Sequence, residues 1–539
     1  SDVYKRQMKK IITRLFILGA LIALIALLPA GAAAQQLDAR QRNAETVVAD
    51  GLAQLPAATP AVFNEVMGEL AATGSAGVEM IAGMLTPADK GKNATLEYAL
   101  NGITAYATAP GNEALCADVR KGLVRAIERC ADNANRAFLF SQLQLCSAAE
   151  DAAWILPYLD DSYLSDYAIR ALISTPGTEP VLLAEARKEG LAAERKRALA
   201  YAFAEKRMTQ AEPLLLGWLG GADARTAEQI YNALAVCGSR ASLKPLAAAA
   251  AEAGYGWDNT GAADAYLRLL ANLVAAGDAQ PAVKAAKGLL KCDRQYVRGA
   301  ALAVLADALG IEKAMPYVLA AVKEGPAEYR YAALQTLGKG DDEIFARVAA
   351  GMPRYDAETR TAVLAWLGDC GAVSQSDVIT GAVTSSDDRV ARAAIEASGR
   401  IGGEQALAAL VSALEGPRAE AAEKALLAFN GRIDPMVERL LARDDAEVLV
   451  PALRLAAARR MTVAADRVFA LLETSDKQVR EAAYAALPYV TGPRHMDRLA
   501  GLLDAADGQH AAQIQTALIR TSAHLPADKL YGTIACYMQ

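Results

Sequence analysis

The stretch DRQYVRGAALAVLADALG, Asp293 to Gly310, decides how the chain is read. Its apolar residues fall at Val297, Ala300, Ala301, Val304, Leu305 and Ala308, the i, i+3, i+4, i+7 spacing that lays one apolar stripe along a 3.6-residue helix. Asp293 stands where a helix N-cap is expected, and Gly310 where a helix stops. One amphipathic helix cannot bury its stripe alone, and the chain supplies neighbours of the same kind. The motif's Arg298 returns as Arg330 and Arg360, and later copies begin near Val390, Ala421, Val448, Val479 and Ala511. Weaker copies begin near Asp166, Lys196, Thr226 and Ala263. A period of about 30 residues, with a helix, a turn and a helix in each, is the mark of a solenoid.

Composition agrees. Hydrophobic residues make up 53% but aromatics only 6%, so the core must be built from small side chains that let helices approach closely, which favours an all-α fold. A formal charge of −6 without a long basic run disfavours a nucleic-acid groove, which needs clustered Lys and Arg.

The N-terminus reads as an address. Met8, Lys9, Lys10 and Arg14 form a basic region, Leu15 to Leu28 is apolar, and Ala32-Ala33-Ala34 before Gln35 fits a cleavage site, so residues 1–34 are expected to be a secretory leader with a few non-native residues ahead of it. Its removal takes away five basic residues (Lys5, Arg6, Lys9, Lys10, Arg14) and one acidic residue (Asp2), moving the net charge from −6 to −10. No membrane span is expected after cleavage, and the expected destination is the periplasm, the cell surface or the exterior of a Gram-negative bacterium. Residues 35–111 carry helical patterns of low mutual similarity and are expected to form an N-terminal cap. Residues 112–539 form the array, ending abruptly at LYGTIACYMQ.

First helices carry an early Pro at Pro157, Pro213, Pro245 and Pro316, and second helices a loosened Asp-x-x-Val-Arg start, as in Asp293 with Val297 and Arg298, or Asp476 with Val479 and Arg480. This pattern resembles HEAT repeats, in particular the short type first described in phycobilin lyases. The resemblance implies a right-handed α-α superhelix, a HEAT-like solenoid. In it Asp or Ser caps each second helix, Pro sits in a first turn where its missing N–H is harmless, and Arg bonds across to neighbouring units. The chain is also similar to helical-repeat regions that precede a laminarinase-like β-sandwich in keto-disaccharide hydrolase-like proteins of exported bacterial type, although no sandwich lies within it.

Motifs for chemistry are sparse. The histidines His495, His510 and His524 are not followed by Glu, so the His-Glu pairs that bind iron in HEAT-like hydroxylases cannot be built. There is no Gly-rich phosphate loop and no G-x-S-x-G elbow. No catalytic, cofactor-binding or metal-binding residue is therefore assigned, and no cofactor is expected. Seven cysteines are scattered without a C-x-x-C pair. Cys116 and Cys130 would stand about 21 Å apart on one helix, whereas Cys130 with Cys146, on successive helices, is a conceivable bridge.

One insertion breaks the repetition. AGYGWDNTGAADAY, Ala253 to Tyr266, places Tyr255, Trp257, Asp258 and Asn259 on a Gly-rich loop, where they could hold a sugar ring or a peptide by stacking and hydrogen bonds. The alternative is that Trp257 folds back to plug the groove between units. Trp154, Trp218 and Trp366 lie within helical patterns and are expected in the core. Arg195, Lys196 and Arg197 are read as a solvated helix face. Together these features lead to the expectation of a non-catalytic scaffold that binds a protein partner on a concave helical face, with carbohydrate as a further ligand class. The alternative is the N-terminal repeat region of a larger carbohydrate-active protein.

Overall fold

The computed structural model describes residues 43–87, 90–506, 508 and 510–523. The leader, His524, Cys536 and the LYGTIACYMQ end lie outside them. Every regular element among the described residues is a helix, and the chain divides into two compact units, the first ending at Leu269 and the second beginning at Leu270.

In the first unit the second helices of successive pairs lie side by side: Asn133–Cys146, Ser165–Ser174, Ala193–Glu205 and Ala224–Cys237. The N-terminal helices stack in the same manner, Pro60–Ala72 on Ala94–Ala107 and Gly74–Gly83 on Glu113–Arg129. In the second unit the row runs through Gln295–Leu309, Ala327–Thr336, Ala357–Cys370, Asp388–Ile401, Ala419–Leu427, Ala446–Ala458, Lys477–Val490 and Ala511–Ser522. One continuous core joins these last helices from Leu302 to Ala517. Each unit is thus an α-solenoid: every pair buries its stripe only against its neighbours.

The opening stretch forms helix Gln295–Leu309 and buries Val297, Ala301, Val304 and Leu305 as its spacing requires, together with Leu302. Gly310 ends it at φ 78° and begins the next helix, Ile311–Glu324. Small residues set the spacing between neighbours. A Cβ on Gly368 would stand 2.8 Å from Ala397 Cα, and one on Gly399 would stand 2.9 Å from the Ala425 carbonyl oxygen. These second helices therefore pass with backbones nearly in contact, which a larger side chain would prevent.

Four local expectations are corrected. Asp293 does not cap its helix: the N-cap position belongs to Arg294 and has no side-chain cap. Elsewhere the Asp rule holds, with Asp387 accepting from the amides of Arg389 and Val390, and Asp476 from those of Gln478 and Val479. Pro245 and Pro316 lie inside helices Arg240–Glu252 and Ile311–Glu324, not in their first turns, and each removes one intrahelical donor. Pro213 does occupy a first turn.

The motif Arg does not act mainly between units. Arg330 donates to the carbonyls of Val322 (3.1 Å) and Gly325 (3.0 Å) at the end of its own first helix, and Arg360 and Arg480 do the same for Met352 and Thr474. A helix C-terminus leaves carbonyls without intrahelical donors, and a guanidinium supplies them. Crossing contacts are made by Arg330 to Glu358 and by Arg298, which stacks on Tyr329 at 4.0 Å. Most ties between repeats come from other cations, such as Arg400 to Asp369, Arg454 to Glu423 and Lys206 to the Thr175 carbonyl. Finally, Arg195 is no solvated charge. It pairs with Asp160 and the buried Glu185 and donates to the Leu156 carbonyl.

Candidate functional site

The side of each second helix that faces away from the core is the surface left for a ligand. In the first unit it is hollowed. A groove of about 700 Å³ crosses helices Ser165–Ser174, Ala193–Glu205 and Ala224–Cys237, lined by Asp166, Arg170, Glu194, Arg197, Tyr201, Arg225, Glu228 and Gln229. A second groove of about 450 Å³ follows, lined by Tyr201, Glu205, Arg207, Gln229, Asn232 and Arg268. Tyr201 and Gln229 belong to both, so the two form one trough over four successive second helices. The helix period places these residues together: Arg225, Gln229 and Asn232 share one stripe of their helix, beside the buried stripe of Thr226, Ile230, Ala233 and Cys237.

The trough carries charges of both signs. Some are already engaged: Arg197 binds Glu194 and the Thr226 hydroxyl, and Arg268 binds Asp264 and Asn232. Among the described residues Arg170, Arg225 and Arg207 have no ion-pair partner, nor do Asp166 and Glu228. Glu194 is held below the usual carboxylate range by its own helix amide and then by Arg197. Asp223, at the cap of the next helix, is lowered by the amide and hydroxyl of Thr226. Tyr201, 38% exposed, adds an aromatic surface midway along the trough.

The insertion forms the nine-residue connection between helices Arg240–Glu252 and Ala262–Ala275. Gly254 and Tyr255 both take positive φ, 58° and 53°. For tyrosine that conformation is disfavoured, and it is secured by the Tyr255 amide donating to the Ala250 carbonyl at 2.8 Å. Asp258 closes a local turn by accepting from the amide and hydroxyl of Thr260. Trp257 is 89% exposed and does not fold back into a groove. Asn259 is exposed as well, whereas Tyr255 is half-buried near Tyr266. Burial first, then the charges of Asp258 and Glu252, raise Tyr231 on the neighbouring helix, which places the loop beside the second-helix row. Of the four loop residues Trp257 and Asn259 are thus exposed, Tyr255 is half-buried and Asp258 is engaged in the local turn.

The other sequence candidates have structural partners. Trp366 is buried, and Trp154 and Trp218 are half-buried, stacked on Phe140 and Phe203. His495 is buried and accepts from the Gly492 amide, while His510 pairs with Glu481 at 3.0 Å and stacks on Tyr484. Among the described residues no group of three His, Cys, Asp or Glu is placed to hold a metal ion. No helix among them is long and apolar enough to cross a membrane. Cys130 and Cys146 are both free thiols. Cys130 lies at the turn before helix Asn133–Cys146 and Cys146 at its far end, about 20 Å away by helix rise, so the conceivable bridge between them is excluded.

Of the trough residues only Arg197 is read from sequence as a surface charge, on a solvated helix face. Their one signal there is the return of Arg170, Arg197 and Arg225 close to the repeat period, on the polar side of the stripe.

A smaller groove of about 330 Å³ marks the same face in the second unit, between helices Asp388–Ile401 and Ala419–Leu427. Arg392, Glu396, Arg400, Glu420 and Lys424 line it, but Arg392 and Arg400 are already paired with Asp388 and Asp369.

Residues 346–430 match a family model described as HEAT repeats. No curated protein sequence matches the chain significantly. Among solved structures the chain is similar to Kap121p bound to Nup53p, with 12% identity and a TM-score of 0.38 over 89% of this chain and 55% of that one. It is similar to the Pds5-Scc1 complex, with 10% identity and a TM-score of 0.28 over 88% of this chain and 81% of that one. It is also similar to UNC-45 from Drosophila melanogaster, with 13% identity and a TM-score of 0.25 over 92% of this chain and 85% of that one. The chain spans little more than half the length of the Kap121p chains bound to Nup53p and Ste12p.

Proposed function

We propose that this chain is an exported, non-catalytic scaffold that holds a segment of a protein partner along the second-helix face of its first unit. The observation that carries the reading is the continuity of the trough through Tyr201 and Gln229. A peptide segment offers backbone amides and carbonyls at short intervals with side chains of either charge. Gln229 and Asn232 can meet the backbone, Arg170, Arg225, Asp166 and Glu228 the charges, and Tyr201 an apolar side chain. Trp257 stands on an adjoining loop as a large exposed anchor of the kind that dominates binding energy at interfaces. The basic and apolar leader supports export.

The test is capture from the envelope fraction of the source cells with the mature chain as bait, followed by identification of the bound protein. Tyr201→Ala with Asn232→Ala should abolish capture of that protein. Undiminished capture by the double variant would remove the trough from the reading. Loss on Trp257→Ala alone would move the site to the loop. Elution of the partner by a free oligosaccharide would replace a protein ligand with carbohydrate.

A further inference from the structure

The structure points to a thiol pair that the spacing in sequence does not suggest. Helices Glu113–Arg129 and Asn133–Cys146 are joined by a three-residue turn and pack on one another, so they run antiparallel. In an antiparallel hairpin, residues equally far from the turn are level. Cys116, near the start of the first helix, is therefore level with Cys146, the last residue of the second. Both lie on the apolar stripes that face each other: Cys116 precedes Val119, Leu123 and Ile127 at helical spacing, and Cys146 follows Leu139 and Leu143. The pair shares a charged neighbour, since Arg120 acts on both thiols, and Cys116 itself acts on Cys146. The remaining described thiols are placed otherwise. Cys130 is at the turn, and Cys237, Cys292 and Cys370 belong to separate repeats.

We infer that Cys116 and Cys146 form an oxidation site whose product is an intramolecular disulfide closing the hairpin. The half-buried Cys116 is the entry thiol, and the buried Cys146 resolves. With a small disulfide RSSR as oxidant, the Cys116 thiolate attacks one sulfur, forms the mixed disulfide and releases RS⁻. The Cys146 thiolate then attacks the Cys116 sulfur and expels the second RS⁻. Two protein thiols are oxidised to one disulfide, RSSR is reduced to two RSH, and the two thiol protons end on the released thiols. Burial raises both thiols and takes Cys146 to about 12, so the second step is slow and depends on proximity. The bridge would tie down helix Asn133–Cys146, which packs beside helix Ser165–Ser174 at the start of the trough. An oxidising compartment, as the export reading supplies, would provide such an oxidant, but the geometry does not depend on that reading.

The test uses the purified, reduced chain equilibrated with excess oxidised glutathione, then digested without reduction and examined by mass spectrometry. The expected result is one cross-linked peptide pair joining Cys116 to Cys146. It should come with a thermal midpoint raised on the order of 5 °C and returned to its starting value by dithiothreitol. Cys146→Ser should leave glutathione on Cys116 and abolish the shift. A cross-link from Cys146 to Cys130, a stable glutathione adduct on Cys116 of the unaltered chain, or both thiols free at equilibrium would each overturn the inference. Because the oxidant is added in the tube, failure here would leave the export reading untouched.

Discussion

Gly368 lies against Ala397: a methyl at its Cβ position would stand 2.8 Å from the Ala397 Cα and 2.9 Å from its Cβ, so two second helices touch through backbone. The neighbour in the way is main chain, which cannot swing aside as a flexible side chain would.

Gly368→Val should therefore destabilise the second unit by about 1–3 kcal/mol through overpacking. Gly288, in helix Ala279–Leu289, meets nothing within 4 Å of an added Cβ, and Gly288→Ala should stabilise by about 0.5–1 kcal/mol through helix propensity. Urea midpoints of the two variants should move in opposite directions.

The two aspartates of the repeat motif should differ, since Asp476 stands three residues before its Val479 and Asp293 four before its Val297. Asp476→Ala removes a cap that serves two amides and should cost about 1 kcal/mol. Asp293→Ala removes none and should stay within about 0.5 kcal/mol. Equal losses in thermal denaturation would contradict the assignment of Arg294 as the N-cap.

Arg330 is buried and donates to two carbonyls as well as to Glu358, whose side chain is 57% exposed. Arg330→Met should cost on the order of 2–3 kcal/mol, because the Val322 and Gly325 carbonyls lose their donors. Glu358→Gln should cost less than about 1 kcal/mol, because water replaces an exposed partner. A larger effect at Glu358 would make the crossing ion pair, and not the capping, the function of the motif Arg.

His495 introduces a pH dependence. Burial, then the Arg494 charge, lowers its pKa, with Arg498 adding to the effect and Asp466 opposing it. The folded state thus holds its proton less tightly than the unfolded chain does. Its contribution is present above the unfolded value of about 6.5 and is lost as pH falls from there through the folded pKa. Stability measured from pH 7.5 to pH 5 should decline, and His495→Gln should flatten that decline. The capping carboxylates Asp356 and Asp387, lowered by hydrogen bonds to the helix starts they cap, add a separate loss below about pH 4.

The all-helical array and the helical nature of each copy were determined by sequence alone. Hydrophobic periodicity is a local property, and a stripe repeated about every 30 residues has few ways to bury itself except by stacking. The sequence did not determine the exposure of Trp257 on the Gly-rich insertion, which could equally be read as folding back between units. Tertiary structure decided the rest. What the motif Arg binds depends on which carbonyls the end of its first helix leaves open. Cys116 and Cys146 become level only when two helices fold back on each other, a relation between residues far apart in number. The trough is of the same kind: Tyr201, Gln229 and Arg268 are polar or aromatic residues on separate helices, and only stacking turns their outward faces into one surface.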